Sequence, residues 1–109
     1  MPELAPTQIA ILQRLVSQGF VPVAFPLYAQ AIGIRRGSVA ALLVPDETGG
    51  LKILGEPCYL IDGNLGARIR RHGRPFFVWK KKEVEATPAL LAEIARFSEE
   101  LVQVLSSSP

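Results

Sequence analysis

Two turn signals, Asp62-Gly63-Asn64 and His72-Gly73-Arg74, constrain the fold of this chain more than any other feature. Asp-Gly between extended runs marks a tight hairpin, because the turn needs residues that tolerate positive φ. Residues 59–61 should therefore pair with 65–71, and the second turn should return the chain along 76–84. From residue 57 onward the reading is antiparallel sheet. Leu65, Ala67 and Ile69 alternate with Arg68 and Arg70, which predicts one dry face and one wet face.

Charge is distributed unevenly over this region. No acidic residue lies between Asp62 and Glu83, yet the stretch holds seven of the twelve Lys and Arg: Arg68, Arg70, Arg71, Arg74, Lys80, Lys81 and Lys82. The remaining five basic residues face all ten acidic ones, so the rest of the chain is net −5 and the formal total of +2 hides a basic segment on an acidic body. Such a layout favours an anionic partner, nucleic acid first. Phe77 or Trp79 would offer a stacking surface; alternatively residues 76–79 are strand core and the cations only solvate the sheet.

A length of 109 residues predicts one domain over 1–109, with 1–5 and 106–109 frayed. The 49% apolar and 20% charged composition is that of a globular protein. The longest apolar run, 20–29, is broken by Pro22 and Pro26, so no membrane span is expected. The acidic N-terminus lacks a signal-peptide pattern, and a single cysteine, Cys58, excludes an internal disulfide. A reducing cytoplasm is the expected location.

The first helix is predicted over Pro6–Ser17, with Pro6 in the first turn and Gly19 past the end. Ile9, Leu12 and Val16 share a face there, with Leu15 beside them, and should pack into the core. A short extended piece follows over 20–24, then a short helix over 26–34. Residues 39–44 read either as a helix closed by Pro45 or as a buried strand that turns at 46–50 and returns along 51–54. The last helix begins at Thr87 as N-cap with Pro88 at the first helical position, and Leu90, Ile94, Phe97, Leu101 and Val104 form its apolar stripe. That stripe fits a core-facing helix, and it equally fits the seam of a homodimer through the 88–105 helix.

Residues 25–44 carry a further pattern. Ala29 stands where a small residue lets a second helix approach, Gly33 follows four residues later with Ile34 after it, and Val39 and Leu42 suit a buried helix face. In these positions the segment resembles the helix-turn-helix of winged-helix DNA-binding domains. The resemblance implies that Arg35, Arg36 and Ser38 approach the major groove and that residues 70–74 form the tip of a wing. Short alanines and Gly37 in the candidate recognition helix depart from that pattern. Residues 31–37 also look like the short helix and turn of swapped-hairpin transition-state regulators, although the spacing from Pro26 is one residue too long. A plain turn into a core strand is the third reading.

The expected architecture is α+β: an N-terminal helix, a short helical unit, an antiparallel sheet with a basic hairpin, and a C-terminal amphipathic helix, winged-helix-like overall. The alternative is a small antiparallel sheet or partly open barrel flanked by helices. Cys58 and His72 are the only residues of their kinds, too few for a metal site, and nothing places them together. Gly49-Gly50 lacks the lysine and spacing of a phosphate loop, and no cofactor is implied. The expected function is non-enzymatic nucleic-acid binding by a small dimeric regulator. Arg35, Arg36 and Ser38 would be at the groove, and Arg68, Arg70, Arg71, Arg74, Lys80, Lys81 and Lys82 on phosphates. The alternative is a protein-interaction module whose basic face meets an acidic protein.

Overall fold

The computed structural model describes residues 4–106, so the fraying expected at 1–3 and 107–109 lies outside the described residues. Two helices, α1 (Pro6–Ser17) and α2 (Pro88–Ser106), pack against a chain of antiparallel strands. A five-stranded meander runs β1 (Val21–Val23), β2 (Ile32–Arg36), β3 (Val39–Pro45), β4 (Leu51–Ile61) and β5 (Asn64–Leu65). A three-stranded meander follows: β6 (Ala67–Arg71), β7 (Arg74–Trp79) and β8 (Lys82–Glu85).

The winged-helix expectation fails between residues 26 and 45, and the described residues are mostly β, 42% strand and 33% helix. The short helix expected over 26–34 is a single 3-10 turn at Pro26–Tyr28, after which residues 32–36 are a strand. Residues 39–45, the would-be recognition helix, pair in register with β2 on one side and β4 on the other. Their apolar residues fall into both phases because both faces of β3 are covered. Val39, Ala41 and Leu43 join the main core; Ala40 and Leu42 join a second cluster on the opposite face. A strand buried on both sides reads as a continuous apolar run, and alanines within it mimic a helix.

β4 is long because it serves two partners. Residues 51–54 pair with β3 from Pro45 back to Leu42, a bulge intervenes around Gly55 (φ 71°), and Cys58 and Tyr59 resume pairing opposite Ala40 and Val39. Bulges bend the strand that carries them, which suits the curl of this sheet. The turn Asp62-Gly63 has φ 51° and 77°, and His72-Gly73 has φ 52° and 78°. Both tight turns thus carry the two positive φ values of a type I′ hairpin. The expected single return strand over 76–84 is instead broken at Lys80, φ 54°, into β7 and β8.

The main core gathers Ile11 and Leu15 of α1, Ile32, Leu43 and Phe77 of the sheets, and Phe97 and Leu101 of α2. Phe20 meets Phe97 edge-on, with ring centroids 5.4 Å apart. The α1 face expected to be buried is rotated from the observed one: Ile9 and Val16 are exposed, while Gln8, Ile11 and Leu15 are buried. A polar residue in the true stripe masked it. The Gln8 side chain accepts from the Ala5 N–H at 2.8 Å and donates to the Gly50 carbonyl at 3.2 Å, so its burial leaves no unpaired amide. α2 follows the sequence pattern: Ile94, Phe97 and Leu101 are buried, Leu90 and Val104 pack against the core, and the Thr87 hydroxyl accepts from the Leu90 N–H. Because that stripe faces the chain's own core, it is no free seam for a homodimer.

Candidate functional site

Register decides where the cations of the basic segment point. Directly opposed residues in an antiparallel pair share a face. Arg68 is opposite Phe77, and Arg70 is opposite Pro75, while Trp79 is opposite Lys82. Arg68, Arg70 and Lys82 therefore border the Phe77 side of the small sheet. Arg71 and Arg74 oppose each other on the other side, with Ala67, Ile69, Phe76 and Val78. The dry face of β6 expected from Ala67 and Ile69 thus points away from the core, and the arginine phase borders it. Gly66, in phase with Arg68, leaves the space that the buried Phe77 needs: a Cβ there would lie 3.1 Å from Phe77 Cβ.

Distance divides the cations further. Arg71 and Arg74 flank the β6–β7 turn, whereas Lys80 and Lys81 form the β7–β8 turn at the far end of β7. Six strand residues separate the two ends by about 17–20 Å.

Carboxylates also neutralise most of the segment. Arg68 pairs with Glu56 at 3.7 Å, Arg74 with Glu85 at 3.5 Å, Arg71 with Glu83, and Lys82 with Asp62. Only Arg70, Lys80 and Lys81 of the seven lack a carboxylate partner among the described residues. Arg35 and Arg36, adjacent on β2, point to opposite faces. Arg36 lies over the Phe20 ring at 4.5 Å and pairs with Glu100 of α2; Arg35 crosses from Val21 to Ala40 on the other face and donates to the Gly37 carbonyl at 3.4 Å. Ser38 sits in the β2–β3 turn, where its carbonyl accepts from the Leu60 N–H at 2.7 Å. The structure therefore does not bring the ten sequence-derived residues onto one surface.

Nor does it assemble a metal centre among the described residues. No group of three His, Cys, Asp or Glu side chains could hold a metal ion. The Cys58 thiol donates to the Glu56 carbonyl at 3.4 Å; burial, and then the nearby Glu56 carboxylate, push its pKa up, away from thiolate chemistry. His72 is exposed in the β6–β7 turn. No helix among the described residues is long and apolar enough to cross a membrane.

The feature that emerges instead is the face of the five-stranded sheet turned away from both helices. By register it carries Val21, Val23, Gly33, Ala40, Leu42 and Leu54. Residues 24–31 cross it as a strap. Phe25 anchors the strap on Gly33, the Tyr28 N–H donates to the Phe25 carbonyl at 2.8 Å, and the Ala31 N–H donates to that of Tyr28 at 2.9 Å. Phe25, Ala40 and Leu42 form a small buried cluster flanked by Val23, Ala31, Leu60 and Leu65. Beyond it large apolar side chains are left in water: Leu27 is 75% exposed, Leu54 48%, Tyr28 45% and Val21 44%.

A groove of about 420 Å³ runs between Arg35 and Ser38 on one side and Asp62 and Gly63 on the other, floored by Val23 and Leu60. At Phe25 itself, a second and shallow depression of only about 30 Å³ is lined also by Leu27, Tyr28, Asn64, Leu65 and Trp79. Nothing in the sequence marks these residues as a site, since their alternation is hidden among prolines and alanines. The one available signal was Pro26, which ends the extended piece that becomes β1 and leaves residues 24–31 with a single 3-10 turn. No family model, curated protein or solved structure matches the chain.

Proposed function

We propose that this chain is a non-enzymatic protein-interaction module that docks its partner on the helix-free face of the five-stranded sheet. One observation carries the reading: Val21 and Leu54 on the helix-free face, and Leu27 and Tyr28 on the strap above it, are large apolar side chains left exposed on a side that also carries two depressions. Single exposed apolar residues are ordinary, but several on one side of a sheet, beside polar-rimmed depressions, suit an interface. The lone cysteine is in keeping with a reducing, cytoplasmic setting.

Nucleic-acid binding is the weaker reading. Of the expected cationic contacts only Arg35, Arg70, Lys80 and Lys81 lack a carboxylate partner among the described residues; spread over two sheets, they would release few counterions, giving a salt slope of about 4 at most. The test is site-specific photocrosslinking in the native host from positions 27 and 54, with position 99 on the exposed side of α2 as control. Discrete protein adducts from 27 and 54, resistant to nuclease and absent from 99, are the expected result. Adducts that disappear with nuclease, or that form equally from position 99, would overturn the reading.

A further inference from the structure

Resting on that docking reading, we infer that the partner presents an acidic amphipathic segment: one large apolar side chain laid against the exposed Leu27 and Tyr28 beside Trp79, flanked by carboxylates. The charge left over after internal pairing favours such a partner. The single carboxylate lining the two depressions, Asp62, already pairs with Lys82. Arg35 lines the first depression without a carboxylate partner among the described residues. Lys80 and Lys81 follow directly on Trp79 at the second, with Lys80 Nζ 5.7 Å from the Trp79 ring centre.

The described carboxylates that remain outside ion pairs are Asp46, Glu47, Glu93 and Glu99, in the β3–β4 turn and on α2. None lines either depression. An apolar surface with a cationic rim repels a basic segment and steers an acidic one, and the rim charges set specificity more than affinity.

The experiment selects twelve-residue peptides from a random display library on the full chain. Selected peptides are then titrated against it by the emission of Trp79, the only tryptophan. Enriched peptides should carry Asp or Glu around one Trp, Phe or Leu. The double variant Lys80→Glu/Lys81→Glu should bind them roughly tenfold more weakly, with a loss that shrinks at high salt. Leu27→Asp should abolish binding, while Glu99→Lys should leave it within about twofold. Each variant is first checked by thermal melt, and the exposure of all four positions makes a folding defect easy to separate.

Enriched peptides that are neutral or basic yet lost in Leu27→Asp would overturn the acidic assignment and leave the docking face standing. Failure to enrich any peptide over the Leu27→Asp chain would also overturn it, and the crosslinks from positions 27 and 54 then judge the docking reading separately.

Discussion

Gly33→Ala is a change of one methyl group that should unsettle the whole helix-free face. Gly33 lies outside the left-handed region, so alanine meets no backbone strain there. It meets atoms. A Cβ at this position would sit 2.3 Å from the Val23 carbonyl oxygen and 2.5 Å from two carbons of the Phe25 ring. Reaching an ordinary contact distance requires β1 and Phe25 each to retreat by about 1 Å. β1 cannot swing like a side chain, because Val21, Pro22 and Val23 are all in register with β2.

Overpacking of this kind costs about 1–3 kcal/mol, and partial re-exposure of the buried Phe25 adds part of the roughly 1.5–3 kcal/mol its burial contributes. We expect about 3 kcal/mol in all, or a Tm lower by about 12–24 °C for a domain of this size. Urea and thermal unfolding followed by circular dichroism would measure it. The cycle with Phe25→Ala isolates the ring contact: the double variant should be at least ~1 kcal/mol more stable than additivity predicts. A loss below about 0.5 kcal/mol for Gly33→Ala, or strict additivity with Phe25→Ala, would refute the argument.

Three further outcomes follow from the same structure. The Asp46 carboxyl is held below its ordinary value of 3.8, chiefly by the Thr48 hydroxyl and then by the Gly50 N–H, so its stabilising contribution is present above that value and fades as pH falls through the lower folded pKa. Wild type should therefore lose its advantage over Asp46→Asn in urea titrations taken from pH 7 down to 2.5, and a pH-independent gap would contradict this. Cys58, raised above 9.0 by burial and by Glu56, should react with iodoacetamide at pH 8 more slowly than free glutathione; an equal rate would show an open thiol. Leu43→Ala, at a fully buried position, should cost about 2–5 kcal/mol, while Leu27→Asp should stay within about 0.5 kcal/mol of wild type; the reverse order in denaturant melts would mean the faces are misassigned.

What the sequence disclosed was local, and what it concealed was long-range. Both ends of α1, the start of α2 and the turns at Asp62-Gly63 and His72-Gly73 follow from capping and backbone preferences, which neighbouring residues satisfy alone. Residues 26–45 were illegible because their signals have two causes. Gly33 looks like a helix terminator, but it is required by the Phe25 ring lying on it. The apolar run over 39–43 looks helical because each phase of the strand is buried by a different cluster. Gln8 hid the buried side of α1, since only the Gly50 carbonyl, distant in sequence, makes a buried amide tolerable there. The basic segment misled for the same reason: Glu56 and Asp62 precede it, Glu83 and Glu85 follow it, and only strand register returns them to Arg68, Lys82, Arg71 and Arg74.

The strap bears on the proposed docking of a partner. A flexible loop bearing Leu27 and Tyr28 would lose conformational freedom on binding, at about 0.5–1.5 kcal/mol for each side chain immobilised. Here the loop is fixed from within: Phe25 is buried on Gly33, Pro26 sets the turn, and two backbone hydrogen bonds close it. The exposed pair is thus held out by a buried one. On the proposed docking reading, Gly33 acts as a positioning residue for Leu27. Conditions that keep Gly33→Ala folded should still leave its peptide affinity reduced, with a larger binding entropy penalty by calorimetry than wild type. Leu27→Asp removes the contact without loosening the strap. If folded Gly33→Ala bound peptide with wild-type affinity and entropy, the exposed residues would owe nothing to the anchor beneath them.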